Sequence, residues 1–149
     1  MEKRTPIVEP YSVVLVDDHA PFREGLREML GERKDLKIVG EAGDGLELLN
    51  LLKQAKFAPH LILLDITMPN LGGIEATLQV KKNYPNIKIL ILSMHREREY
   101  VEQAISVGAE GYLLKDEMRA EVFSAIERVR EGGVYISPFF SQKFPNGLR

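Results

Sequence analysis

Apolar side chains gather in five short runs, at 12–16, 37–39, 61–64, 88–92 and 111–114, rich in Val, Ile and Leu and mostly bounded by Asp, Gly, Pro or Asn. Runs of that length and composition predict buried β-strands. Between them the apolar spacing changes. Phe22, Leu26, Met29 and Leu30 fall at i, i+4, i+7 and i+8, and Val122, Ile126 and Val129 at i, i+4 and i+7, the pattern of helices with one buried face. Asp44 is placed as the N-cap of a helix over 46–56, Gly72 and Gly73 precede a helix reaching Tyr84, and a further helix covers 96–107. Gly31 and Gly108 stand at C-terminal stops. The order is strand then helix, five times over. Near-continuous apolar strands joined by helices predict an α/β fold whose parallel sheet is covered on both faces, with right-handed crossovers.

Composition narrows the class. The 149 residues suit one domain, and 44% hydrophobic with 28% charged residues excludes a disordered or fibrous chain. The absence of cysteine excludes disulfides, a thiol nucleophile and thiolate metal sites. A net charge of −2 provides no general basic footprint for nucleic acid. The apolar run 13–16 is too short for a signal-peptide core or a membrane span, so the expectation is a cytoplasmic chain without a membrane partner.

In an open parallel sheet the site lies beyond the carboxyl ends of the strands. The residues just past those ends carry chemistry: Asp17, Asp18 and His19 after the first strand, Asp65 after the third, Ser93 after the fourth and Lys115 after the fifth. Singly, each has an ordinary reading as a cap, a turn residue or a surface charge. Together they converge on one crevice. Three adjacent carboxylates repel one another unless a cation is present, and an all-oxygen set suits Mg²⁺. His19, His60 and His95 lie 41 and 35 residues apart, which is not the spacing of a histidine zinc site. With negative charge neutralised, one aspartate can act as a nucleophile toward phosphorus. Asp65, at the end of LILLD, is the candidate; Lys115 and Ser93 can each meet a phosphoryl oxygen.

These residues resemble the receiver domain of bacterial two-component response regulators. The resemblance runs from 12 to 131 through VVLVDDHAPFREGL, LLDITMPNLGGIEA, ILILSMH and GAEGYLLKD, and the wording VDDH, LSMH, GYLLKD and GGVYISP is most similar to the NarL/FixJ (LuxR-type) branch. It implies a flavodoxin-like sheet of five strands in the order 2-1-3-4-5. Asp65 would be the phosphoacceptor, with Ser93 and Lys115 lying 28 and 50 residues further on. Mg²⁺ would be held by Asp17, Asp18, Asp65 and the Thr67 backbone carbonyl. Ser93 and Tyr112 would form the switch, Tyr112 being a half-buried aromatic at rest that rotates inward when Ser93 is drawn to the phosphate.

The resemblance also implies partners: a sensor histidine kinase as donor, and a homodimer on activation. The faces expected for that dimer are the first and last helices, with Phe22, Met29 and Val122 at the margin, or the face that Tyr112 borders. Such a chain is a signalling phosphoacceptor that catalyses only its own phosphoryl transfer and dephosphorylation. DNA would be met only through a C-terminal helix-turn-helix domain, which the residues after 131 are too few to form. The expected organisation is an N-terminal extension over 1–11, a receiver over 12–131 and a tail or linker over 132–149. The tail holds Tyr135, Phe139, Phe140 and Phe144, too many aromatics for a solvated linker. Asp116 stands where many receivers have Pro, leaving the isomer of the Lys115–Asp116 peptide open. The alternative function is a stand-alone receiver acting as a phosphoryl shuttle or interaction switch. A flavodoxin-type FMN carrier is disfavoured by the repulsion of Asp17 and Asp18 toward phosphate, and a haloacid dehalogenase by the lack of Asp-x-Asp after the first strand.

Overall fold

The computed structural model describes residues 9–56 and 58–144. Strands β1 (Tyr11–Val16), β2 (Leu36–Ala42), β3 (Leu61–Asp65), β4 (Lys88–Ser93) and β5 (Gly111–Leu114) alternate with helices α1 (Ala20–Leu30), α2 (Gly45–Gln54), α3 (Gly73–Asn83), α4 (Arg98–Ser106) and α5 (Met118–Arg130). After α5 come a two-residue strand β6 (Tyr135–Ile136) and a short helix α6 (Pro138–Lys143). The sheet is parallel throughout, in the order β2-β1-β3-β4-β5-β6. The expected order is kept, and a sixth strand is added to the five expected.

The strands read as unbroken apolar runs because each is buried on both faces. Alternation then sends successive side chains to opposite layers. Val14, Val16, Ile62, Leu64, Ile89 and Ile91 pack against α2, α3 and α4 through Leu48, Leu52, Val80 and Val101. Val13, Leu15, Leu61, Leu63, Leu90 and Leu92 pack against α1 and α5 through Leu26, Leu30, Val122, Ile126 and Val129. Val122, expected at the margin of an exposed helix face, is fully buried in this second layer.

Local signals set the helix ends. The Asp44 carboxylate accepts the Glu47 N–H at 2.9 Å, which caps α2 as expected. Helix α4 begins at Arg98, two residues later than the pattern predicts. At the start of α3, a Cβ on Gly73 would lie 2.1 Å from the Asp65 carbonyl oxygen. Only glycine lets the helix start this close to the tip of β3. Among the described residues no peptide bond is cis, so Lys115–Asp116 is trans.

Residues 135–144 continue the packed unit beyond the expected boundary at Glu131. The Tyr135 N–H donates to the Glu110 carbonyl at 3.0 Å and the Ser137 N–H to the Tyr112 carbonyl at 2.9 Å. The buried Ser137 hydroxyl in turn accepts the Leu114 N–H at 2.8 Å, taking the place of a backbone carbonyl. Phe140 is fully buried, edge-on to Tyr112 with ring centres 5.5 Å apart. The Arg96 and Arg98 guanidinium groups lie over Phe139 and Phe144, at 4.9 and 5.5 Å. The aromatic tail thus packs on its own domain. Of the expected N-terminal extension, residues 1–8 lie outside the described residues, and Tyr11 already belongs to β1.

If this tail belongs to the folding unit, Phe140→Ala is expected to cost about 3–5 kcal/mol in urea unfolding, the range for a deleted core aromatic. A loss of under about 1 kcal/mol would make the tail an accessory rather than part of the core.

Candidate functional site

The strand tips stand side by side because the register aligns them: Val16 with Leu64, Asp65 with Leu92, and Ser93 with Leu114. Each residue that follows or ends a strand therefore opens into one crevice. Asp17 and Asp65 are only 4% and 7% exposed, while Asp18 faces solvent. One carboxylate oxygen from each of the three lies within 4.8 Å of the others. Lys115 enters the same crevice, its Nζ 2.6 Å from Asp17 Oδ2 and 3.4 Å from Asp65 Oδ2. Its ammonium also lies 4.3 Å from the centre of the Phe22 ring.

Electrostatics in this crevice are unbalanced. Three carboxylates against one ammonium leave two negative charges in excess. Burial, aided by the charge of Asp17, pushes the Asp65 carboxyl above the usual carboxylate range, and the attraction of Lys115 does not cancel that push. An oxygen-lined pocket with uncompensated negative charge is the setting for a small, hard divalent cation.

The loops are tied down around it. The Asp17 side chain accepts the His19 N–H at 2.8 Å, and His19 is the N-cap residue of α1, at the mouth of the site. Arg23 donates to the Asp17 backbone carbonyl and, through Nε, to Glu41 at 3.2 Å. Beyond Asp65, Thr67 is exposed and its hydroxyl meets His95 Nε2 at 2.8 Å. His95 stacks on Tyr100 with ring centres 4.0 Å apart. Its backbone N–H donates to Ser93 Oγ at 3.0 Å, and its carbonyl accepts the Tyr112 hydroxyl at 2.8 Å.

Tyr112 departs from expectation. It is fully buried, facing inward against Phe140, and burial pushes its phenol up to about 12. The residues expected at the site, Asp17, Asp18, Asp65, Ser93 and Lys115, meet at the strand ends, and Thr67 lies beside them. Two neighbours escaped the sequence reading. Phe22 reads in the sequence as a core-facing helical position at the margin of a helix face, and His95 as part of LSMH, neither of which signals a contact with the site.

A folded-state pKa above the unfolded one for Asp65 means a contribution that is fully present at low pH and lost as pH rises through the raised value. In a metal-free buffer, Asp65→Asn is therefore expected to melt above the natural chain at pH 7 to 8, with the gap closing as pH falls below about 4, the unperturbed aspartate range. Thermal unfolding across that pH series checks it. A variant that is less stable at neutral pH would show that the Lys115 attraction outweighs burial.

Comparison with known proteins gives concordant results. Residues 13–127 match the family model described as response regulator receiver domain. The transcriptional regulatory protein DegU of Brevibacillus brevis is 38% identical over 126 residues, covering 85% of this chain and 52% of that protein. Response regulator UvrY of Escherichia coli K12 is 36% identical over 132 residues, covering 89% of this chain and 60% of that protein. The chain thus spans between half and three-fifths of the length of these relatives. The crystal structure of a LuxR-family two-component response regulator from Aurantimonas sp. SI85-9A1 aligns with a TM-score of 0.85 at 33% identity, over 93% of this chain and 97% of that one.

Proposed function

The chain belongs to the response regulator receiver family, and from that membership and the acidic crevice we propose that Asp65 takes a phosphoryl group from a sensor histidine kinase and that the change regulates transcription. The observation that carries the proposal is the convergence of three carboxylates and one ammonium at the carboxyl ends of β1, β3 and β5. Asp65 attacks the phosphorus of a phosphohistidine; an O–P bond forms, the N–P bond breaks and the imidazole leaves. Asp65 suits this because burial on a rigid strand fixes its direction and keeps water away.

The donor set fits Mg²⁺: Asp17, Asp18, Asp65 and the Thr67 carbonyl would hold it, and when bound it neutralises charge at the phosphoryl oxygens. The chain's own residues do the rest. Lys115 turns from Asp17 toward a transferred oxygen, as a point charge. Ser93 Oγ already accepts the His95 N–H, and its own proton would turn to a second oxygen.

Switching runs through the same residues. Movement of Ser93 and His95 toward the phosphate alters the carbonyl to which Tyr112 is bonded. Because Tyr112 is already inward, the proposed change is a shift of its anchor and of Phe140 beneath it, in place of a swing into empty space. Phosphate favours one of two states and shifts the population toward it. The receiver unit is proposed to extend through α6, and homodimerisation on activation and DNA contact through a separate output domain are proposed for the whole regulator. The activity is self-directed, covering only the chain's own phosphoryl transfer and dephosphorylation, and the proposed setting is the cytoplasm. No helix among the described residues is long and apolar enough to cross a membrane.

Incubation with acetyl phosphate and Mg²⁺ is expected to add one phosphoryl mass to the intact chain and none to Asp65→Asn. Labelling of that variant at the natural rate would remove Asp65 from the role. Asp18→Ala, losing a carboxylate ligand, is expected to weaken Mg²⁺ binding by more than about tenfold; unchanged affinity in a titration would displace the metal from this crevice.

A further inference from the structure

We propose that Phe22, in the first turn of α1, is a positioning residue for the Lys115 ammonium, holding it by the face of its ring so that the charge can pass from Asp17 to an incoming phosphoryl oxygen. The proposal rests on the role of Lys115 given above and identifies what aims it. The Lys115 side chain is 12% exposed, and its ammonium is bounded by Asp17 Oδ2 at 2.6 Å, Asp65 Oδ2 at 3.4 Å and the Phe22 ring centre at 4.3 Å. Two of its neighbours are anions. The third is a neutral ring.

That third neighbour suits a charge that must move. An aromatic face attracts a cation through its quadrupole, more strongly where water is excluded, yet it imposes no single N–H direction and adds no negative charge. A carboxylate at this position would compete with phosphate and deepen an excess that already stands at two. A hydroxyl would hold one proton in a directional bond that has to break. Against the ring, the ammonium can pivot between oxygen partners while staying in place.

The ring is also held in register with the carboxylates. Arg23, the next residue, binds the Asp17 carbonyl and Glu41, and Arg27, one turn on, binds Glu41 at 2.6 Å. These bonds fasten the start of α1 to the loop that carries Asp17 and to β2. Phe22 and Asp17 therefore meet Lys115 as one body. Phe22 also packs against the α1–α5 layer, so leucine preserves apolar bulk while removing the π face.

Labelling rates with acetyl phosphate at saturating Mg²⁺ test the proposal. Phe22→Leu is expected to slow labelling about three- to tenfold, and Phe22→Tyr to stay within about twofold of the natural chain, as the size of a cation–π contact implies. In a Lys115→Ala background, Phe22→Leu is expected to have no further effect, because the ring acts through the ammonium. In NMR spectra of the natural chain, the Lys115 ε-methylene protons are expected upfield, shielded by the ring, and to return downfield in Phe22→Leu. A natural rate for Phe22→Leu, an equal loss in the Lys115→Ala background, or unshifted ε-methylene protons would each overturn the assignment. Labelling of Lys115→Ala at the natural rate would instead remove Lys115 from its own role, and the positioning of Phe22 would fall with it. Should Phe22→Leu fail to fold, the methylene shift in the natural chain decides alone.

Discussion

Two carboxylates sharing one ammonium at the dry edge of a parallel sheet set the terms for the rest of the molecule. Asp17 and Asp65 are almost wholly buried, and a third carboxylate, Asp18, stands beside them in solvent. Charge of this kind is expensive to remove from water, and one lysine does not balance it. The fold tolerates the arrangement because the surrounding layers are apolar and continuous, so the strands that carry the acids cannot yield. The same imbalance is what a bound cation would relieve in the function proposed for the crevice. What is unfavourable for the resting protein is what the proposed phosphoryl transfer would draw on.

Much of this was legible in the chain. The apolar runs end where polar residues begin, and a parallel sheet converts those endings into neighbours; that is why Asp17, Asp65, Ser93 and Lys115 could be brought together on paper. What escaped depends on contacts that no local pattern encodes. A two-residue strand such as Tyr135–Ile136 has no periodicity to detect, and the Ser137 hydroxyl standing in for a carbonyl is visible only once Leu114 is beside it. Tyr112 is buried more deeply than its place on a short strand predicts, for a similar reason. Its burial depends on Phe140, 28 positions later, which folds back to form its floor. Phe22 illustrates another limit, since the helical spacing that marks a core face cannot tell a residue that fills space from one that touches a charge. Adjacent Asp17 and Asp18 differ in exposure because the strand ends between one layer and the solvent.

Ser93, His95, Tyr112 and Phe140 form a continuous run of contacts from the crevice to the C-terminal helix, and Thr67 joins it from the β3 side through His95. Every link is a hydrogen bond or a ring contact with a definite geometry, so displacement at one end has few ways to dissipate. Arg96 and Arg98 reinforce the far end by lying over Phe139 and Phe144. The α4 side of β5 is accordingly covered by the chain itself, through Phe139, Phe140 and Phe144.

The short sixth strand has a consequence of a different kind. An unpaired outer strand is a template on which other chains can add, and proteins blunt such margins by keeping them short, kinked or proline-bearing. Among the described residues, the strand beyond β5 offers only the backbone groups of Tyr135 and Ile136, followed by Pro138, which has no N–H to give. At the opposite margin the β1–β2 ladder slips between Val13 and Val14, and β2 carries an exposed Lys37. Among the described residues, the β6 margin offers two residues and the β2 margin seven, the latter interrupted by the slip. Addition of another strand at the β6 margin is thereby limited to two residues' worth of backbone pairing.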